Sequence, residues 1–417
     1  MSKAVGGTGP LRLFRLTLIV ILAGAMLSYP LLFWRVRNEL REGANDFVIF
    51  YTGAQVLKAG QSKLLYDYET QTAFQAKFSR PVQFRQGPLL FNHAPFELLL
   101  FLPLAYLSLP AAYYCWLVLN LGLLAAIGRL LQPLVSRALL PLYTLLLFGF
   151  FPGFIALVQG QDSILALFLI TVVIVFLKSG REGLAGIVLS LGLFKPQLVL
   201  PLLVVLLFKK RWTVASGFFL GCAGLAAISV YIVGWTGLVQ WLELVSTMNQ
   251  RLYSIDPLAM PNIRGGIESL MVGKPAVLVV LLMVAANVCA LIGLCYAWRG
   301  EYQVDTPTFY LKLSLCLIIT VLTSYHLFLH DAVLLVLPAI FTCNYFFTGL
   351  ALNPWTRSLF LSGLTILCFP GVYNWLLGRQ RVAWLVWIIL LMAGAVAVEL
   401  FRHRQRSLSA YHCKATD

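Results

Sequence analysis

Ten polar side chains stand out in a chain that is otherwise mostly apolar: Asp46, His93, Gln161, Asp162, Lys195, Asn262, Arg264, His326, His330 and Asp331. Asp46 lies in Asn45-Asp46-Phe47-Val48. A carboxylate against an apolar surface can take the proton from an attacking hydroxyl, although Asp is equally common as the cap of a following helix. Lys195, next to Pro196, could neutralise a phosphate or snorkel to an interface. Arg264, in Asn262-Ile263-Arg264-Gly265-Gly266, offers a planar fork suited to phosphate or a sugar diol, or a partner for Glu268. His326 and His330 are four apart with Asp331 adjacent, a spacing that can hold a metal on a helical face. No third ligand is evident, so histidines donating to a phosphate or sugar fit better, and no metal is assigned. Asn92-His93-Ala94-Pro95-Phe96 and Gly160-Gln161 read as turns at helix ends.

The elements that must position these residues are apolar helices. Of 417 residues, 60% are hydrophobic and 11% charged, against about 25% charged in a soluble domain. Runs such as Leu16 to Phe33, Leu139 to Val158, Ser163 to Leu177, Ala276 to Ala297 and Val382 to Leu400 approach the ~20 residues of a spanning helix. The chain is therefore expected to be all-α and polytopic, a single integral membrane domain over 1–417. A soluble enzyme, a disordered chain, a coiled coil and a secreted disulfide scaffold are excluded. The formal charge of +15 does not indicate a nucleic-acid partner. Its basic residues cluster between apolar runs, at Lys178 with Arg181, Lys209-Lys210-Arg211, Arg299 and Arg402 to Arg406, as cytoplasmic loops do. Seven of the eight cysteines lie in apolar segments without metal-ligand or CxxC spacing. The basic start at Lys3, Arg12 and Arg15 reads as the flank of an uncleaved first helix.

Placing the basic clusters inside predicts a first crossing over roughly 13–33 and an outer loop over 34–93 carrying short interfacial helices. Residues 183–208 must form a hairpin or re-entrant pair broken at Lys195-Pro196, because proline interrupts a helix. A second outer loop is expected over 235–272. The next crossings deliver His326, His330 and Asp331 to the outer face, where all ten residues then converge from at least five connections. Ionisable groups at such helix ends are expensive and usually functional. About 12 crossings are expected, within 10–14. The count stays open between 95 and 178, where four apolar runs occupy a stretch whose parity needs an odd number. Either Phe151-Pro152-Gly153 breaks one run in two, or one run is re-entrant.

The order of motifs resembles a known family. Asp46 is followed by Tyr51-Thr52-Gly53-Ala54, Gly60 and Leu65-Tyr66-Asp67, then Ala94-Pro95-Phe96 and Leu102-Pro103-Leu104-Ala105. Gly160-Gln161-Asp162-Ser163, Ala185-Gly186 with Phe194-Lys195-Pro196, and Lys209 to Trp212 come next, then Ser324-Tyr325-His326 through His330-Asp331 and Leu337-Pro338. Over about residues 40–345 this resembles the bacterial membrane glycosyltransferases of glycosyltransferase family 87, which include polyprenyl-phosphate-mannose-dependent α-mannosyltransferases of mycobacterial glycolipid synthesis. The resemblance implies a GT-C architecture with an extracytoplasmic active site in the plasma membrane. It implies a polyprenyl-phosphate-linked sugar donor, most simply mannose, and a glycolipid or glycan acceptor. The family's catalytic aspartate maps onto Asp46, the lysine of its Lys-Pro element onto Lys195, and its late histidine motif onto His326 to Asp331. The chain departs from the family at Ala94, where a second proline is common, and at Asp162, where Asn is common.

The resulting expectation is an inverting transfer. Asp46 takes the acceptor proton, while Lys195, Arg264 and His326 or His330 stabilise the departing lipid phosphate. No nucleotide-binding Gly-rich loop is evident, in keeping with a lipid-linked donor, and no cofactor is called for. Phe91, Phe96 and Tyr325 are candidates for a prenyl groove or for packing. The alternatives are a transporter or flippase for lipid-linked saccharides, or a non-catalytic subunit that binds them. A transporter built from inverted halves is disfavoured because no internal repeat is visible.

Overall fold

The computed structural model describes residues 9–78, 88–247, 256–347 and 353–415. Lys3 and parts of both expected outer loops, 79–87 and 248–255, lie outside the described residues. Every regular element among the described residues is helical. A long α1 (Gly9–Arg41) runs eight residues past the crossing expected from the apolar run and turns at Gly43 into α2 (Phe47–Lys58) and α3 (Tyr68–Gln75). These pack with a short run, Pro95–Tyr106, that includes α4 (Leu98–Phe101). Phe47, Phe50 and Ala54 of α2 meet Phe91, Leu98, Phe101 and Ala105 in a compact core of their own. Tyr51 donates to the Leu107 carbonyl (2.7 Å), and Gln55 and Lys58 both donate to that of Ala105 (2.9 Å each). The segment expected to form the first outer loop is thus an end layer with a core of its own.

The bundle follows: α5 (Leu109–Leu131), α6 (Leu140–Gly149), α7 (Phe151–Gln159), α8 (Ser163–Lys178), α9 (Glu182–Leu191), α10 (Pro196–Phe208) and α11 (Trp212–Thr247). After α12 (Ile263–Leu270) come α13 (Ala276–Ala297), α14 (Pro307–Thr323), α15 (Val336–Phe347), α16 (Pro354–Cys368), α17 (Pro370–Gly378) and α18 (Leu385–Ala415). Among the described residues, six helical stretches are long and apolar enough to cross a membrane, or seven if the pair α16–α17, bent by 64°, is one span. The expected count of about 12 is not reached on that criterion. The remaining apolar helices are too short: α8, with 16 residues, extends about 24 Å at 1.5 Å per residue, against ~30 Å of hydrocarbon. Between 95 and 178, Pro95–Tyr106 belongs to the end layer, α5 and the stretch α6–α7 are long enough to cross, and α8 falls short. Phe150 does break α6 from α7 with an extended residue (φ −69°, ψ 119°), but the two continue as one apolar stretch.

The expected break at Lys195-Pro196 is present. Lys195 leaves the helical region (φ −127°, ψ 72°), as a residue before proline must, and Pro196 opens α10. The position of this apex is set by how closely α9 lies on α11. A Cβ on Gly186 would strike the backbone carbonyl of Val214, and one on Gly217 that of Gly183. Small residues of this kind let helix backbones approach in a membrane-embedded bundle. Gly186→Leu is therefore expected to force α9 off α11, lowering the detergent melting temperature sharply or abolishing monodisperse protein. Gly224→Ala, in open space on α11, should leave both unchanged in the same size-exclusion and melting assays.

Candidate active site

At the junction of the end layer and the bundle, four breaks in helical structure bring charged side chains together. The turn between α7 and α8 supplies Asp162 together with two uncharged polar residues, Gln161 and Ser163. Gly160 ends α7 in the left-handed region (φ 63°), and its carbonyl accepts from Trp116 Nε1 at 3.0 Å. A Cβ there would lie 2.6 Å from that of Phe47, so only glycine lets the end layer close on this turn. Gln161, Asp162 and Ser163 then point into the junction, all buried. Asp162 occupies the cap position of α8 yet its side chain caps nothing. It faces Lys195 at 2.6 Å instead.

Lys195 is the hub. Its ammonium donates to Asp331 Oδ1 (2.6 Å), Ser163 Oγ (2.9 Å) and Gln161 Oε1 (3.4 Å), and Ser163 Oγ in turn donates to Asp331 Oδ1 (2.7 Å). The side chain is 6% exposed, so the lysine neither snorkels nor stands as a free cation for a phosphate. Residues 324–330, between α14 and the short 3₁₀ turn Asp331–Leu335, are irregular. The four-residue spacing of His326 and His330 therefore does not put them on one helical face. His330 Nε2 lies 3.4 Å from Asp331 Oδ2, and its Nδ1 is 4.0 Å from Asp46 Oδ2.

Asp46 stands at the start of α2 and, like Asp162, makes no side-chain cap. Its Oδ2 accepts from Gln161 Nε2 at 2.9 Å, and its backbone N–H donates to Gln159 Oε1 at 3.2 Å. Asn45 beside it is buried with neither amide atom hydrogen-bonded. On the other flank, Gln71 and Gln75 of α3 pair with the backbone of Phe91 and Leu89, and Tyr66 donates to the His93 carbonyl (2.8 Å). These bonds aim His93 at Glu97 (2.7 Å) and Asp162 (3.5 Å).

Burial pushes the His93 imidazole down, but the Glu97 and Asp162 carboxylates outweigh it and raise its pKa above the ordinary value. Burial raises Glu97 to about 7, with His93 opposing. Asp162 goes the other way: burial raises it, but Lys195 and His93 prevail and lower it. Asp162 therefore carries the negative charge while Glu97 holds a proton up to near neutrality. Atoms of His93, Glu97 and Asp162 lie within 4.8 Å of one another, the types and spacing for a divalent ion. In the sequence the spacing that can hold a metal was that of His326 and His330, for which contacts to phosphate or sugar fit better.

Two expected residues form a neighbouring group. Asn262 is a structural tie: its Oδ1 caps α12 at Gly265 N (2.8 Å) and its Nδ2 donates to the Ser324 carbonyl (2.7 Å). Arg264 Nε donates to Glu268 (2.9 Å), and its guanidinium lies 4.2 Å from the centroid of Tyr325. Burial, then Arg264, lower His326 to about 4, against an opposing pull from Asp331, so this imidazole is neutral near pH 7. Arg264 Nη1 and His326 Nδ1 are both buried without a hydrogen-bond partner. Of the three aromatics considered for a groove, Phe91 is buried in the end-layer core, Phe96 is packed against the bundle core, and Tyr325 borders a cavity.

The sequence reading missed Glu97, Ser163 and Asn45. Glu97 had a signal, since it follows His93 by four residues in a stretch with few other acids; Ser163 and Asn45 had none beyond adjacency.

Two outcomes follow. Lys195→Met should destabilise the fold by about 3–5 kcal/mol, because it leaves two buried carboxylates uncompensated; Lys195→Met with Asp331→Asn should recover part of the lost melting temperature. The raised pKa values of His93 and Glu97 mean that the folded chain binds more protons than the unfolded chain. The His93 contribution is complete below about 6.5 and lost as pH rises through its raised value. The Glu97 contribution falls from its ordinary carboxylate range up to about 7. Melting temperature should therefore drop between pH 6 and 8, and Glu97→Gln should flatten that slope.

A family model described as glycosyltransferase family 87 matches residues 91–324, more than half of the chain. No curated protein and no solved structure matches. The matched segment contains His93, Gln161, Asp162, Lys195, Asn262 and Arg264, and it leaves Asp46 and the 326–331 turn outside. With buried carboxylates, a lysine and imidazoles gathered at the ends of apolar helices, the chain belongs to glycosyltransferase family 87 and is a membrane-embedded glycosyltransferase.

Proposed function

We propose that the chain transfers a sugar, mannose in the simplest case, from a polyprenyl-phosphate donor to a glycolipid or glycan acceptor, with inversion, at the extracytoplasmic face of the plasma membrane. One observation carries this reading. The unpartnered Arg264 Nη1 and His326 Nδ1 lie beside Tyr325, which borders a cavity of 510 Å³ walled by Ala276, Val279, Val280 and Met283 of α13. The α13 wall of this cavity is apolar, while Asp256, Glu268 and Lys274 also line it; two buried donors beyond Tyr325 would suit a phosphate whose hydrocarbon chain lies along that wall. The arginine brings the charge, and the neutral imidazole brings an N–H that needs no counter-ion.

In this mechanism Asp46 is the base. Gln161 fixes one of its oxygens, His330 lies alongside, and Asn45 is at hand to orient the acceptor hydroxyl. The hydroxyl oxygen attacks the anomeric carbon as its proton passes to Asp46. The bond to the phosphate oxygen breaks, and the electron pair leaves on the lipid phosphate at Arg264 and His326. Lys195 acts as a positioning residue: held by Asp162 and Asp331, it fixes the turns that carry Gln161 and His330, and does not touch the phosphate. This revises the role expected for it.

The test uses the purified full chain in nanodiscs with radiolabelled polyprenyl-phosphate-mannose and a glycolipid extract. Asp46→Asn should retain donor binding and lose turnover by about 10²–10⁴-fold, the usual worth of a general base. Arg264→Gln should weaken donor binding while leaving the melting temperature close to wild type. Equal transfer by wild type and Asp46→Asn would remove Asp46 as the base. Unchanged donor affinity in Arg264→Gln would remove the phosphate site.

A further inference from the structure

The opposite end of the bundle carries a second lipid-shaped feature. A cavity of 1110 Å³ opens between α13, α14 and α18, near the C-terminal end of α13 and the N-terminal end of α14. Its depth is apolar, with Leu315 and Ile319 on α14 facing Leu390 and Ala397 on α18. Two glycines line it, Gly293 on α13 and Gly394 on α18, and a Cβ built on either meets nothing within 4 Å. The gap exists because α13 stands away from the bundle: Leu294 is its one buried residue. Close-packed interiors do not leave such volume empty, and in a membrane-embedded protein the filler at hand is lipid.

The rim is mostly cationic. Arg299, Lys312 and Arg404 all line the mouth. Both guanidinium groups lie over the single ring of Tyr296, at 4.9 and 5.5 Å from its centroid. Lys312 Nζ donates to the backbone carbonyls of Arg299 (3.3 Å) and Glu301 (3.5 Å), and it meets Lys209 and Arg404 as like charges. Among the described residues none of the three rim cations forms an ion pair with a carboxylate; the pairs nearby are Lys178–Asp305 and Arg211–Glu182. Glu301 also reaches the mouth, where its carboxylate accepts from Gln303 at 2.6 Å. Three cations drawn together without counter-ions over an apolar groove cost energy unless an anion sits among them.

We propose that this cavity is a binding site for one anionic phospholipid, separate from the active site. The headgroup phosphate rests between Arg299, Lys312 and Arg404, and an acyl chain runs along the glycine-lined groove toward Ile319 and Leu390. Guanidinium forks match phosphate oxygens, and the site needs both ends of the ligand: a neutral lipid leaves the cations unpaired, and a free phosphate leaves the groove unfilled.

The test uses the full-length chain, delipidated in a neutral detergent and titrated with phosphatidylglycerol, phosphatidylcholine or inorganic phosphate, read by native mass spectrometry and thermal unfolding. Phosphatidylglycerol should be retained as a one-to-one adduct and raise the melting temperature, with phosphatidylcholine and inorganic phosphate doing neither at equal concentration. The double change Arg299→Gln with Arg404→Gln should cut phosphatidylglycerol occupancy at least tenfold. Gly394→Leu, which fills the groove without touching a charge, should do the same. Equal effects of the two lipids would overturn the proposal, as would a full shift from inorganic phosphate or unchanged occupancy in both variants. The wild-type comparison decides the matter even where one variant fails to fold, and none of these readouts depends on sugar transfer.

Discussion

A buried ammonium between two carboxylates is the constraint on which the site depends. Removing Lys195 from water is worth several kcal/mol of penalty unless its partners are close and well aimed. Asp331 and the Ser163 hydroxyl, hydrogen-bonded at 2.6 and 2.9 Å, and Asp162, ion-paired at 2.6 Å, meet that condition together only if three separate breaks in the helical bundle converge. The turn after α7, the apex between α9 and α10, and the turn before α15 are each irregular, and each would be a weak point alone. Their mutual charge neutralisation locks them. From there the order passes outward: Asp162 faces His93, Asp331 faces His330, and Gln161 reaches Asp46. A residue that looks like a phosphate ligand in the sequence is in this way the keystone that positions the neighbouring Gln161, Asp162 and Asp331.

Much of this was legible from residue types. The apolar runs gave the helical class, Lys195-Pro196 marked the apex, Gly160 marked the turn, and the polar residues gathered at one end are largely those the sequence offered. The span count was less legible for a physical reason. Apolar content reports burial but not what does the burying, and the run Pro95–Tyr106 is apolar because it packs in the end-layer core with α2 and α5. It reads like membrane helix without being long enough to cross. The roles of individual polar residues were also hidden, since type and spacing do not say which neighbour a side chain meets. Asn262 is spent on a helix cap and a backbone carbonyl. The two histidines are separated because α14 ends at Thr323, before the first of them. The family match over 91–324 stops short of both the first aspartate and the late histidines, so their place in the site rests on geometry.

The distribution of charge across the site bears on how an inverting transfer would be arranged. Asp46, Asp162 and Asp331, beside a Glu97 that holds its proton up to near neutrality, face one lysine and two imidazoles, a setting hostile to an arriving phosphate. A lipid phosphate placed there would meet like charge in a medium of low dielectric, where repulsion is strongest. Arg264 and His326 stand to one side of this cluster, with Asp331 the carboxylate whose field reaches His326. On the proposed reading that separation is functional. Inversion requires the base and the leaving group on opposite sides of the anomeric carbon, so on this reading the direction of attack is set by the separation of Asp46 from the Arg264–His326 pair, where Glu268 holds Arg264 in place. The same segregation keeps the departing phosphate from competing for the base, and it lets the hydrocarbon tail stay in the α13 cavity throughout. Lys195 serves this division best by remaining paired: an unpaired ammonium among the carboxylates would draw the phosphate to the wrong side.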